Sequence, residues 1–288
     1  MLPGLLLAAG LARGTVLRLE MPAPSLHQEK RDVRVYLPPS YNLPESSARR
    51  YPVLYLLHGW PGSEGNWFGS GRAAETADQL ISAGSIPEMI IVCPNGRGRG
   101  MLGRSLYINS FDGRSRMEDY IALDLVQWTD SSFRTLASQS ARAIAGLSDG
   151  GTGALNLTLR HLDLFGACGS ESADMVISRQ PGLGTVIGPD PSGQQVLEAN
   201  SPSLELPKLA SRLKGVAIYL DCGTADESIE ENRAFHQELS RLGIPHTYRE
   251  FPGTHTWGYW RTHLADLLST LAPHLRGNAG GGTLHPAG

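Results

Sequence analysis

The chain has 288 residues, 41% of them hydrophobic and 18% charged, which is enough apolar side chain for one large α/β domain or two small ones. Its formal net charge of −3 at pH 7 gives no electrostatic reason to expect nucleic acid or an anionic membrane surface as partner. No apolar run approaches the roughly 20 residues that cross a bilayer, and three cysteines without metal-ligand spacing suggest neither a disulfide framework nor zinc.

Residues 1–13 stand apart. Their apolar middle and the small residues Gly10 and Ala12 look like the end of a signal peptide, yet the segment lacks a basic start and is short for one. Cys93, Cys168 and Cys222 each lie in an apolar strand-like run and read as small buried thiols, which favours a reducing compartment. Localisation is therefore undecided between the cytoplasm and export.

Thr15–Glu20 and Asp32–Leu37 alternate apolar and polar residues, as half-buried strands of a hairpin do. After a polar loop to Arg50, Val53–Leu57 is continuously apolar, which suits a central strand covered on both faces. Met89–Cys93, Ala143–Ala145, Phe165–Cys168 and Val216–Leu220 read the same way, and Thr247–Phe251 is a further strand. Helical patterns run over Ala73–Ala83, Met117–Trp128, Gly151–Arg160, Ser228–Leu242 and Trp257–Leu271. This alternation predicts a mainly parallel central sheet with helices on both faces, formed by one domain over 14–275. Residues 177–207, rich in Pro, Gly and Ser, break the rhythm and are expected to be an irregular insertion over the active-site face. The Gly-rich end, 276–288, is expected to be a disordered tail.

The motif that carries chemistry is Gly146-Leu147-Ser148-Asp149-Gly150, placed between an apolar strand and a helical pattern. Strand, sharp turn and helix form the context in which Gly-x-Ser-x-Gly lifts a nucleophilic hydroxyl above the end of a sheet. A serine needs a base, and the base needs an orienting carboxylate. Seven histidines follow Ser148, and only His255 lies in a loop after a predicted strand and before a helix. Asp226 lies just beyond the strand that ends at Cys222; it would also suit a helix N-cap. The oxyanion of a tetrahedral intermediate needs N–H donors, and the backbone amides of Asp149 and of Trp60, in the loop Leu57-His58-Gly59-Trp60, are the candidates. His58 reads as a brace of that loop.

The chain resembles the "Putative esterase" family of α/β-hydrolases, which includes esterase D, S-formylglutathione hydrolases, feruloyl esterases and mycolyltransferases. The resemblance runs from about Gly14 to Leu271. It rests on Val35-Tyr36-Leu37-Pro38-Pro39-Ser40-Tyr41, Tyr51-Pro52-Val53-Leu54-Tyr55-Leu56-Leu57-His58-Gly59, Ala145-Gly146-Leu147-Ser148, Cys222-Gly223-Thr224-Ala225-Asp226, Asn232-Arg233-Ala234-Phe235 and Pro252-Gly253-Thr254-His255-Thr256-Trp257. It implies the α/β-hydrolase fold, a Ser148–His255–Asp226 triad, a small-molecule ester substrate and chemistry without metal or organic cofactor.

Asp149 departs from that family, where a neutral side chain commonly follows the serine. A carboxylate about 6 Å from a developing oxyanion would cost roughly 3 kcal/mol at an effective dielectric near 20. Its side chain is therefore expected to point away or to be neutralised by a cation, for which Arg97, Arg99 and Arg104 are candidates. Arg97, with Trp67 and Trp257, is also a candidate for the substrate pocket, although aromatic packing in the core is an equal reading for the two tryptophans. Hydrolysis of small acyl or aryl esters is the primary expectation. Acyl transfer by the same triad and a non-catalytic binding role are the alternatives, and no feature decides between a monomer and a homodimer.

Overall fold

The computed structural model describes residues 12–276. The leader-like segment up to Leu11 and the tail from Gly277 lie outside the described residues, together with the expectations for them. Eight strands, β1 (Thr15–Ala23), β2 (Glu29–Leu37), β3 (Val53–Leu57), β4 (Ile90–Pro94), β5 (Arg142–Leu147), β6 (Ala167–Glu171), β7 (Ala217–Gly223) and β8 (Thr247–Phe251), form one sheet. Their order is β1-β2-β4-β3-β5-β6-β7-β8. β1 and β2 pair antiparallel, β2 pairs antiparallel with β4, and the remaining pairs are parallel.

The continuous apolar run of β3 is explained by burial on both sides. Val53, Tyr55 and Leu57 face one apolar cluster, and Leu54 and Leu56 face the other. The first cluster is closed by the helical stretch from Met117 and by α4 (Asp149–Arg160) and α8 (Ile229–Arg241); the second is closed by α1 (Ala73–Ser82) and α9 (Trp257–Leu271). The helix expected over Met117–Trp128 is built from α2 (Met117–Asp119), a π-helical stretch (Tyr120–Leu125) and α3 (Val126–Ser132). Cys93, Cys168 and Cys222 are buried and unbonded to one another.

Two local expectations change. β6 begins and ends later than the apolar run Phe165–Cys168 suggests, because the polar Ser170 and Glu171 pair in register with Gly146 and Leu147 on one side and Leu220 and Asp221 on the other. Residues 177–207 are not irregular; they carry α5 (Gly184–Ile187), α6 (Ser192–Ala199) and the larger part of α7 (Pro202–Leu209). Ile177, Leu183, Val186, Ile187 and Leu197 form a small apolar core of their own with Leu106 and Ile108. The Pro and Gly residues punctuate these helices. Pro202 occupies the first turn of α7, where its missing N–H costs nothing, and Gly188 (φ 77°) ends α5.

The loops at the carboxyl ends of the parallel strands are pinned by His58, which is buried. Its Nε2 accepts the Gly96 N–H (2.9 Å), so Nδ1 carries the proton and donates it to the Gly59 carbonyl (2.8 Å). The Tyr107 hydroxyl donates to the His58 carbonyl (2.8 Å). Burial pushes the imidazole down to about 4 from its ordinary 6.5. The folded value lies below the unfolded one, so the neutral ring's contribution is whole above pH 6.5 and is lost as pH falls towards 4. We therefore expect wild type to lose about 3 kcal/mol more stability than His58→Gln over that window. Urea unfolding of both proteins at several pH values measures this, and parallel pH profiles would contradict it.

Candidate active site

β5 delivers Ser148 to the first turn of α4 through a backbone conformation that a side-chain-bearing residue rarely adopts, φ 52° and ψ −126°. Such strain costs on the order of 1–3 kcal/mol and persists where its surroundings over-determine it. Here the Ser148 N–H donates to the Glu171 carbonyl (2.9 Å), and the Ser148 carbonyl accepts the Thr152 N–H (3.0 Å). Glycine is required on either side. A Cβ on Gly146 would lie 2.4 Å from the carbonyl carbon of Gly150, and one on Gly150 would lie 2.4 Å from the Leu57 carbonyl oxygen.

His255 comes from the loop between β8 and α9, and Asp226 from the turn after β7. His255 Nε2 lies 2.9 Å from Ser148 Oγ, and Nδ1 lies 3.0 Å from each carboxylate oxygen of Asp226. The carboxylate can only accept, so the proton sits on Nδ1 and the Nε2 lone pair faces the serine hydroxyl. Asp226 is 3% exposed and accepts a further bond from the Ser228 N–H (3.0 Å). Burial works against both charged forms, but their mutual contact outweighs it. The Asp226 carboxyl is held below its ordinary value and the His255 imidazole above it. Trp260 stands edge-on to the imidazole, with ring centroids 4.9 Å apart.

The loop carrying Trp60 abuts the serine: a Cβ on the adjacent Gly59 would lie 3.1 Å from Ser148 Cβ. Among the described residues, neither the Trp60 nor the Asp149 amide donates to a protein acceptor. The Asp149 amide is one of the free donors of the α4 N-terminus, where the helix dipole also favours negative charge. The Trp60 indole donates to the Leu102 carbonyl (2.7 Å), which anchors the loop from the side.

The Asp149 side chain is buried and paired. Arg104 reaches it with Nε at 2.8 Å from Oδ2 and Nη2 at 2.6 Å from Oδ1. Burial raises the Asp149 carboxyl above its ordinary value, and the bidentate guanidinium works against that rise. Of the three cations anticipated, the structure brings Arg104 to Asp149. Arg97 is exposed and lines a small cavity together with Trp60 and Asp149; its carbonyl accepts a bond from Arg31 (2.7 Å).

Of the two tryptophans, Trp67 needs correction as a pocket residue. Trp67 is fully buried, donates its indole N–H to the Leu57 carbonyl (3.0 Å) and cannot meet a ligand. Trp257 is half-buried and packs edge-on between Trp67 (5.6 Å) and Trp260 (5.5 Å). The three rings form an aromatic ladder behind His255. Sequence reasoning missed Trp260, Ser172, whose Oγ accepts the Trp260 indole N–H (3.2 Å), and Gln180. Only Trp260 carried a signal, standing three residues after Trp257 on the same helical face. Among the described residues, no group of three or more His, Cys, Asp or Glu is placed to hold a metal ion.

Comparison with known proteins agrees with this architecture. A family model described as "Putative esterase" matches residues 24–271. Esterase Rv1288 of Mycobacterium tuberculosis is 30% identical over 275 residues, covering 84% of this chain and 56% of that protein, so the chain spans little more than half of that relative's length. An acetyl esterase of Caldicellulosiruptor saccharolyticus is 24% identical over 242 residues, covering 76% of this chain and 83% of the relative. A solved ferulic acid esterase superposes with a TM-score of 0.82 at 30% identity, covering 92% of this chain and 99% of the other. The fold is that of the α/β-hydrolases, and the chain belongs to the "Putative esterase" family.

Proposed function

We propose that the chain is a serine carboxylic-ester hydrolase that forms an acyl-enzyme on small acyl or aryl esters. One observation carries the reading: an unbroken hydrogen-bond path from buried Asp226 through His255 to the hydroxyl of Ser148, on a strained strand-to-helix turn. In the first half-reaction Ser148 Oγ adds to the ester carbonyl as its proton passes to His255 Nε2. Asp226 holds the ring in the required tautomer and stabilises the imidazolium. Charge gathering on the carbonyl oxygen meets the amides of Trp60 and Asp149, each contributing about 3–4 kcal/mol in the transition state. Collapse of the intermediate breaks the carbonyl–oxygen bond of the ester, and Nε2–H protonates the departing alcohol. Water then attacks the acyl-enzyme with Nε2 as base, and the acid leaves.

Similarity to a ferulic acid esterase and to an acetyl esterase supports aryl and small acyl esters as the substrate class. Trp60, partly exposed and held through its indole N–H by the Leu102 carbonyl, offers an apolar face on the loop that abuts the serine.

Hydrolysis of p-nitrophenyl esters from acetate to laurate tests the activity. Ser148→Ala is expected to lower kcat on the order of 10⁶-fold, and residual activity near wild type would rule out the assignment. The pH profile tests the base. Because His255 must be neutral to accept the proton and is held above its ordinary 6.5, the acid limb of kcat/KM is expected to have its midpoint above 6.5. Asp226→Asn should move that midpoint down, since burial is then opposed only by the weaker fields of Glu227 and Asp174, and should lower kcat about 10⁴-fold. An unmoved midpoint would detach Asp226 from His255.

A further inference from the structure

A unit negative charge buried beside an oxyanion site is unusual chemistry, and the surroundings of Asp149 show how it is accommodated. Arg104 and Asp149 are 8% and 6% exposed at their side chains and meet through two parallel hydrogen bonds. The guanidinium also lies over the Trp60 ring, 5.1 Å from its centroid. Its remaining terminal nitrogen donates to the Gln180 Oε1 (2.5 Å), in the inserted segment. Leu102, two residues before Arg104, accepts the Trp60 indole N–H. The loop is folded tightly enough to fix the guanidinium: the Gly98 N–H donates to the Gly103 carbonyl (2.8 Å), and a Cβ on Gly98 would lie 2.7 Å from the Arg104 carbonyl oxygen.

We infer that Arg104 is a positioning residue of the oxyanion site. It cancels the charge that Asp149 would otherwise present to the developing oxyanion, and it ties the Trp60 loop, the start of α4 and the inserted segment into one unit. The inference rests on the serine-hydrolase reading of Ser148. It gives the residue after the serine a reason to be acidic: with its bidentate partner, Asp149 is one half of a clamp. A guanidinium fork matches a carboxylate in a way that a lysine ammonium does not.

The test compares wild type with Arg104→Met, Arg104→Lys, Asp149→Asn and the double variant Arg104→Met/Asp149→Asn. Two rates are read: turnover of p-nitrophenyl acetate, and phosphonylation of Ser148 by a fluorophosphonate, in which Oγ displaces fluoride and the phosphoryl oxygen gathers charge in the five-coordinate transition state without ester turnover. Thermal unfolding of each variant shows that it is folded. Arg104→Met leaves Asp149 bare, so both rates are expected to fall about 100-fold while KM changes less than about threefold. The double variant removes both charges and is expected to regain at least about tenfold of that loss, which a merely structural arginine would not allow. Arg104→Lys keeps the charge without the fork and should fall between wild type and Arg104→Met; it carries the comparison if Arg104→Met does not fold.

An Arg104→Met or Arg104→Lys protein as fast as wild type would overturn the inference, as would a double variant no faster than folded Arg104→Met. A defect confined to KM would also overturn it, by making Arg104 a substrate contact. A wild-type protein that neither hydrolyses esters nor takes the phosphonate would sink the serine-hydrolase reading itself. Phosphonylation without ester turnover would leave the inference decided by the phosphonylation rates alone.

Discussion

The site depends on how closely the β5–α4 turn passes the end of β3. Backbone meets backbone there: added Cβ atoms at Gly146 and Gly150 would fall 2.4 Å from neighbouring main-chain atoms, and one at Gly59 would fall 2.8 Å from the Leu147 side chain. That approach sets the chain direction at Ser148, forces its positive φ and leaves the hydroxyl at the carboxyl edge of the sheet. It also brings the Gly59–Trp60 loop alongside the α4 N-terminus. The strain at Ser148 is held by the sheet through the Glu171 carbonyl and by the helix through Thr152, so the cost is spread over a packed core.

Two buried carboxylates flank the serine on different elements, and each has one cationic or ionisable partner. Asp226 meets His255, and Asp149 meets Arg104. Removing a carboxylate from water is costly unless its partner is fixed and hydrogen-bonded. His255 is fixed by its loop and by Trp260, with the Trp257 and Trp67 rings behind, and Arg104 by a glycine-rich loop closed on itself. The difference between the pairs lies in what must change during a reaction. His255 has to gain and lose a proton, so its partner is an acceptor that stabilises the charged ring. Arg104 takes no part in the proton relay, and its pair with Asp149 acts through its field.

Much of this was legible because parallel strands point their carboxyl ends to the same edge. Once β3, β5 and β7 were recognised from apolar runs and β8 as a further strand, the residues that follow them had to converge, and His58, Ser148, Asp226 and His255 each follow one. A histidine inside a helical pattern had no such reason to face the site. What escaped was set by partners distant in sequence. Glu171 lies in a strand although its side chain is ionisable, because its backbone carries the ladder to both neighbours. Trp67 read equally as pocket wall or core; its indole satisfies a carbonyl at the end of β3 and its ring fills the core. The helices of 184–209 were hidden because most of their proline and glycine residues, read as irregular chain, sit at helix ends, while Pro207 lies inside α7. Arg104 stood among three equivalent arginines until geometry brought it to Asp149.

The most direct measurement is the intact mass of the protein quenched within the first turnovers of p-nitrophenyl acetate, followed by peptide mapping. The account predicts an acetyl adduct on the peptide carrying Ser148, formed in a burst and absent from Ser148→Ala. Turnover without any adduct, or an adduct on another residue, would contradict it.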